Sequence, residues 1–127
     1  AGSANHRSIG VEISNAYYLK WQSWYKRKGF GERPVITDAV CHGHKMEPFT
    51  GFYPIQIQAL IALYEVIHKA HHIPLVAPNI KTTVDPDVAN GSWSGFCSHF
   101  HLIRKKIDCA GLDLDDVCQK AITLKNN

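Results

Sequence analysis

The sequence contains no long hydrophobic run, no closely paired cysteines and no strong excess of one charge. None of its apolar runs approaches the roughly 18 residues that cross a bilayer, so we expect no membrane span. Its 4 cysteines include no CxxC pair, which argues against a redox motif or a disulfide framework and favours reduced thiols. The formal net charge of +3 is too small to indicate a nucleic-acid partner.

The remaining composition predicts one folded domain. The chain has 127 residues, of which 45% are hydrophobic and 20% are charged, a balance typical of a globular protein. No signal peptide is visible, so we expect synthesis in the cytoplasm. The sequence begins at Ala1 without Met, which suggests a processed product or a fragment.

Alternation of apolar and polar residues predicts an early strand at residues 7–14. Ile9, Val11 and Ile13 share one face of this strand. Glu12 lies on the opposite face, where its carboxylate either meets solvent or lines a cleft.

Two stretches carry the 3.6-residue period of a helix packed on a core. Residues 53–72 place an apolar stripe at helical spacing, with Pro54 in the first turn and Pro74 blocking continuation. A final helix follows Asp113, whose carboxylate is a suitable N-cap. Its buried side is expected to comprise Val117, Cys118, Ala121 and Ile122.

The connecting stretches are irregular or short. Residues 29–51 and 78–95 are rich in turn-forming residues and are predicted as loops, the first of them an insertion. Residues 75–76 predict a short strand. Residues 15–28 place Tyr and Trp side chains at helical spacing. They predict a short helix that packs on the domain or offers a platform for carbohydrate or peptide.

Residues 97–111 concentrate side chains that bind zinc. His99 follows a loop rich in Gly and Ser and is the best single ligand, with Cys109 or Asp108 as the second. Adjacent residues of an extended segment point in opposite directions, so only one of these two is expected to face the metal. We favour Cys109, because a thiolate at a helix start gains from the helix dipole and nearby lysines.

Hydrolysis at zinc also needs a general base and a group that stabilises negative charge. Glu12, across a cleft, could take a proton from water and pass it to the leaving nitrogen. Lys106 could donate a hydrogen bond to the oxyanion of a tetrahedral intermediate. The run at residues 41–44, CHGH, is a second candidate metal cluster, although no further partner at ligand spacing follows it.

Three stretches of the chain form an ordered set of motifs. Residues 7–14 read RSIGVEIS, residues 53–60 read YPIQIQAL, and residues 98–111 run from SHFHL to KIDCAG. In this order they resemble the SIGIE strand, the Y(T/P)xxQxxAL helix start and the GHxDI…KxDPG or CPG ending of zinc-dependent N-acetylmuramoyl-L-alanine amidases. That superfamily contains phage lysozyme-type amidases and peptidoglycan recognition proteins.

The resemblance implies an α/β (α+β) fold, with a mixed central β-sheet flanked by helices and zinc in a groove. It implies cleavage of the amide between N-acetylmuramic acid and L-alanine of the stem peptide. The partner would be peptidoglycan, degraded at the bacterial cell wall by an endolysin of phage or prophage origin. Glu12 matches the family's catalytic glutamate, and Lys106 or Lys105 matches the lysine near the oxyanion.

The resemblance also implies an incomplete set of zinc ligands. His99 matches the second zinc histidine of the family, and Cys109 or Asp108 matches the third ligand. Lys106 is in register if Asp108 is that ligand. Residues 1–5 look like the end of the stretch that follows the first zinc histidine, so an upstream segment or companion chain is expected to supply it. Without it, the alternative is a non-catalytic module that binds peptidoglycan or a virion partner.

Overall fold

The chain combines helices with very small sheets, which is an α+β arrangement. The computed structural model describes residues 4–127, apart from the side chain of Asn5. The helices are α1 (Gln22–Arg27), α2 (Pro54–His71), α3 (Pro86–Asn90) and α4 (Leu114–Lys125). Single turns of 3-10 helix occur at Ala4–His6, Leu19–Trp21 and His99–His101. In residues 4–127, no helix has the length and apolar character needed to cross a membrane.

Helix α2 confirms the helix expected at residues 53–72. The Tyr53 backbone N–H donates to Gln56 Oε1 at 3.0 Å, and Pro54 occupies the first turn, where its missing N–H is harmless. The helix ends at His71, and the next residue, His72, has a left-handed φ of 56°. Helix α4 is confirmed in the same way, because Asp113 Oδ1 accepts from the Asp116 backbone N–H at 3.0 Å.

The main hydrophobic core lies between α2 and α4. Leu60, Tyr64 and Ile67 from α2 are buried there, and the ring of Tyr64 stacks on Phe96 at 4.0 Å between centroids. Four residues of α4 were expected to be buried. Val117, Cys118 and Ala121 are buried, and Ile122 is partly buried.

The strands lie where a loop insertion was expected. Four two-residue strands occur within residues 29–51: β1 (Val35–Ile36), β2 (Val40–Cys41), β3 (His44–Lys45) and β4 (Phe49–Thr50). β1 pairs with β4, and β2 pairs with β3, both antiparallel. Strands this short contain no period-two pattern, so composition alone could not reveal them. Among the described residues, these two small sheets stand in place of the expected mixed central sheet.

Residues 7–14 do not form the expected strand. In the described part of the chain, residues 9–13 make no backbone–backbone hydrogen bond, and no strand pairs with them. Alternation shows that one face can be buried, but a strand also needs a neighbouring strand to bond to. Part of the stretch at residues 1–5 that resembles the amidases falls on residues 1–3, outside the described residues.

Residues 75–95 also differ from expectation. Residues 75–76 form no strand, and the expected loop at 78–95 contains α3. Asp85 caps this helix, since Asp85 Oδ1 accepts from the backbone N–H of Asp87 at 2.9 Å. Gly91 closes it with a φ of 84°. The Asp-Pro start and the Gly stop were visible in the sequence, but the helix is too short to show a period.

Candidate functional site

A cavity of about 540 Å³ separates residues 9–13 from the segment expected to bind zinc. One wall is apolar and includes Leu60 and Tyr64 from α2. The other wall contains four side chains of the types that ligate metals. These are Cys97, His99, Asp108 and Cys109.

His99 and Asp108 form the closest pair of expected site residues. His99 Nδ1 lies 3.2 Å from Asp108 Oδ2. The backbone N–H of Phe100 donates to the Asp108 carbonyl at 3.0 Å, which draws the two segments together. The side chains are 34% and 61% exposed, so solvent reaches both. Sequence reasoning named both residues, and the structure brings them together.

The separation of this pair fits a shared metal ion. Zinc lies about 2.0–2.2 Å from imidazole nitrogen and carboxylate oxygen, so two corners of a tetrahedral site are about 3.3 Å apart. The observed 3.2 Å is close to that value. Within residues 4–127, no group of three or more His, Cys, Asp or Glu side chains is close enough to hold a metal ion. The two atoms are also within direct hydrogen-bonding distance of each other, and zinc binding by this pair stays a prediction.

Cys109 differs from the expectation of a reactive thiolate. Burial, and to a lesser degree the neighbouring Asp108 carboxylate, raise the pKa of its thiol to about 11. Helix α4 begins at Leu114, so Cys109 does not lie at a helix start. In the absence of metal, burial therefore disfavours the thiolate form of Cys109. The short contact with His99 Nδ1 favours Asp108, while Cys109, which also lines the cavity, stays a predicted ligand.

Cys97 is the cavity residue that sequence reasoning did not select. It lines the same wall as Cys109. Burial raises the pKa of its thiol, and Asp85 raises it further. The signal available in the sequence was its position two residues before His99. Burial therefore disfavours the thiolate form of both cavity cysteines in the absence of metal.

Glu12 is not brought to the cavity. The residues on either side of it, Val11 and Ile13, line the cavity, whereas the Glu12 side chain is exposed on the opposite face. In residues 4–127 its carboxylate has no hydrogen bond or ion pair. The structure therefore separates the expected general base from His99 and Asp108.

Lys106 lies in an exposed loop whose backbone is bonded to His42. His42 Nε2 lies 2.8 Å from the Lys106 carbonyl oxygen, and His42 Nδ1 lies 2.9 Å from Thr83 Oγ1. A carbonyl only accepts, so Nε2 carries the hydrogen. His42 and Gly43 both have positive φ, as the tight turn between β2 and β3 requires. The second candidate metal cluster, at residues 41–44, lies in a hairpin turn that holds the Lys106 loop.

His101 has a structural role. It is 1% exposed, its Nδ1 accepts from the Ser98 backbone N–H at 3.0 Å, and its Nε2 bonds the Ile80 carbonyl at 2.6 Å. Burial is the largest influence on its pKa and lowers it, so the ring is neutral. With both nitrogens engaged, His101 fixes the turn that carries His99.

Comparison with known proteins gives no family assignment. No protein-family model, no curated protein and no solved structure matches this chain.

Proposed function

We propose that the chain is a zinc-dependent peptidoglycan amidase that cleaves the amide between N-acetylmuramic acid and L-alanine of the stem peptide. The observation that carries this proposal is the 3.2 Å approach of His99 Nδ1 to Asp108 Oδ2 beside a cavity. An imidazole and a carboxylate at that separation can share one zinc ion. The three ordered motifs supply the reaction class, and the site of action would be the bacterial cell wall.

His99 and Asp108 would hold two corners of the zinc site. The amidase resemblance implies a further histidine, which a preceding segment or a companion chain would contribute. Zinc bound there would polarise a carbonyl and lower the pKa of water. The exposure of both side chains leaves space for another ligand and for substrate.

The cavity has the size and the mixed character of a small-ligand site. Its volume of about 540 Å³ falls within the roughly 300–1,000 Å³ range of ligand pockets. The apolar wall that includes Leu60 would contact methyl groups of the lactyl and alanyl units. The scissile amide would then lie toward the polar wall at His99.

Lys106 and Glu12 are the residues proposed to stabilise charge and to transfer protons. Lys106 lies two residues before Asp108 in an exposed loop, where an ammonium can stabilise an oxyanion. Glu12 is proposed as the general base. Its role rests on the resemblance of residues 7–14 to the amidase motif, since the Glu12 side chain is exposed on the face away from the cavity.

The first test is zinc content and release of dye from labelled peptidoglycan. We expect His99→Ala to lose bound zinc. Its dye release should fall at least about 100-fold, because even the loss of an outer-shell partner can cost a metal site that much. His71→Ala, an exposed histidine at the end of α2, is the matched control and should change neither. Unchanged zinc content in His99→Ala would overturn the proposal.

The second test isolates Glu12. Because its carboxylate is exposed and has no partner in residues 4–127, Glu12→Gln should leave the melting temperature unchanged. Dye release should fall by about 10²-fold or more. Glu47→Gln, another exposed glutamate, is the control. Full activity in Glu12→Gln would remove Glu12 from the mechanism while leaving the zinc pair in place.

One observation favours a non-catalytic binding module as the alternative. No third ligand meets His99 and Asp108 within residues 4–127. On this alternative the chain would bind peptidoglycan or a virion partner through the cavity without hydrolysis. Cosedimentation with purified sacculi, without zinc uptake or dye release, would support it over the amidase.

A further inference from the structure

Exposed aromatic rings cover the outer side of α1 and its flanking residues. Tyr18, Trp21, Trp24 and Phe30 are between 38% and 64% exposed. Trp21 and Trp24 share a helix face through their three-residue spacing, and the Trp24 and Phe30 centroids are 6.1 Å apart. We name these four rings the aromatic platform.

The platform is surrounded by positive charge. Residues 18–30 contain no acidic residue, and they contain Lys20, Lys26, Arg27 and Lys28, all exposed. Lys26 is paired with Glu32 at 3.1 Å, so it is partly neutralised. The other cations have no acidic partner in the described part of the chain.

The inner side of the same segment is held firmly to the fold. Gln22 donates to the Arg33 carbonyl at 2.7 Å and accepts from the Arg33 backbone N–H at 2.9 Å. The Tyr25 hydroxyl accepts from the Ala16 backbone N–H at 2.9 Å. The Arg33 guanidinium lies 4.8 Å from the Tyr25 centroid and 4.4 Å from that of Tyr53. The aromatic platform is therefore already ordered, so binding does not have to order it.

We propose that the aromatic platform docks on the anionic surface of a lipid bilayer. Trp and Tyr side chains favour the headgroup region of membranes, and clustered lysines favour anionic lipids. Phe30 and Leu19 are also exposed, and their side chains have no polar group that could hydrogen-bond to a hydrated partner. The combination of Trp, Phe and Leu with Lys and Arg is typical of segments that lie in the membrane interface.

The positions of the lysines favour a bilayer over a stacked polymer. Lys20 Nζ lies 5.9 Å from the Tyr18 centroid and 5.4 Å from that of Trp21. Lys28 Nζ lies 5.9 Å from the Trp24 centroid. A sugar or a nucleic-acid base would have to displace these ammonium groups in order to stack on the ring faces. In a membrane interface, the exposed rings can lie among the headgroups while ammonium groups that stay beside them contact lipid phosphates.

The test is cosedimentation with vesicles of phosphatidylglycerol and phosphatidylcholine in equal parts, and with vesicles of phosphatidylcholine alone. We expect the chain to bind the anionic vesicles and not the neutral ones. Lys20→Ser should weaken binding about fivefold, because each cation near an anionic surface contributes about that much. Trp24→Ser should weaken binding at least about tenfold through loss of buried apolar area.

The controls remove the same chemistry elsewhere. Val66→Ser on α2 and Lys125→Ser on α4 change an exposed apolar residue and an exposed cation away from the platform, and should bind as the parent does. Urea denaturation of each variant separates lost binding from lost folding. Equal binding to both vesicle types, or unchanged binding by folded Trp24→Ser, would overturn the proposal. If Lys20→Ser or Trp24→Ser lost binding to lipid-free sacculi and still bound vesicles as the parent does, the proposal would be overturned in favour of a glycan partner. Measurements in a zinc chelator keep the result independent of the amidase proposal.

Discussion

Arg33 and the His99–Asp108 pair are both polar centres, but one is closed and the other is open. Arg33 is 4% exposed, and its guanidinium donates to the Gly51 carbonyl at 2.9 Å, the Ser14 carbonyl at 3.0 Å and Gln56 Oε1 at 2.6 Å. His99 and Asp108 make one contact with each other at 3.2 Å and remain partly exposed. The closed centre joins separate segments, whereas the open pair keeps bonding capacity for a ligand.

The difference follows from the cost of burying charge. A buried cation is tolerated only when its desolvation is offset by hydrogen bonds or by aromatic faces. Arg33 has both, since two tyrosine rings flank its guanidinium. Asp108 is 61% exposed and loses little hydration, so nothing requires its remaining lone pairs to be occupied within the fold. We infer that the closed centre carries stability and the open pair carries function.

Replacing Arg33 should give the largest loss of stability. Arg33→Met removes the donor to three buried or partly buried acceptors, each costing about 1–3 kcal/mol when left unsatisfied. We expect the free energy of unfolding to fall by at least about 3 kcal/mol in urea titration. Arg27→Met, an exposed arginine on α1, should stay within about 0.5 kcal/mol of the parent. A loss below about 1 kcal/mol in Arg33→Met would remove the contrast between the two centres.

Replacing Asp108 should show the opposite pattern, with function lost and stability kept. The Asp108→Asn variant should lose bound zinc, and its dye release should fall about 100-fold. Its free energy of unfolding should change by no more than about 1 kcal/mol, as for an exposed ion pair. Cys109→Ser is the neighbouring comparison and should keep zinc, because Asp108 and not Cys109 makes the contact with His99 Nδ1. Zinc kept in Asp108→Asn and lost in Cys109→Ser would restore Cys109 as the ligand.

The long elements could be predicted from the sequence because their signals are local. The stripe through Leu60, Tyr64 and Ile67 repeats over several turns, and it defines both α2 and the face that packs on α4. The strands could not be predicted, since two residues are too few to show alternation, and the β1–β4 pairing joins segments separated by the β2–β3 hairpin. Residues 9–13 show the converse: their apolar and polar residues alternate, but no neighbouring strand is hydrogen-bonded to them.

The site was predictable in residue type and only partly in geometry. His99 and Asp108 meet because the Phe100 backbone N–H bonds the Asp108 carbonyl, a contact across a loop that spacing does not reveal. The burial that raises the pKa of the Cys109 thiol is a tertiary property that the sequence does not reveal. Glu12 has the right spacing for a cleft residue and still faces away from the cavity.

His42 is intermediate between the two centres, and its replacement should give a moderate loss of stability with only a small loss of activity. Its ring bonds the Lys106 carbonyl and Thr83 Oγ1, yet the residue is only half-buried. His42→Asn tolerates the left-handed φ of 52° but cannot reach both partners. We expect a loss of roughly 1 to 2 kcal/mol of unfolding free energy, with a modest fall in dye release because the Lys106 loop loses a tether.

His44→Asn is the matched control on the same hairpin. The His44 side chain is exposed and makes no hydrogen bond in the described part of the chain, so its replacement should change neither quantity. A His42→Asn variant with the parent's stability but strongly reduced activity would place His42 in the open, functional class. A stability loss as large as that of Arg33→Met would place it in the closed class, because both ring bonds would then be fully protected from water.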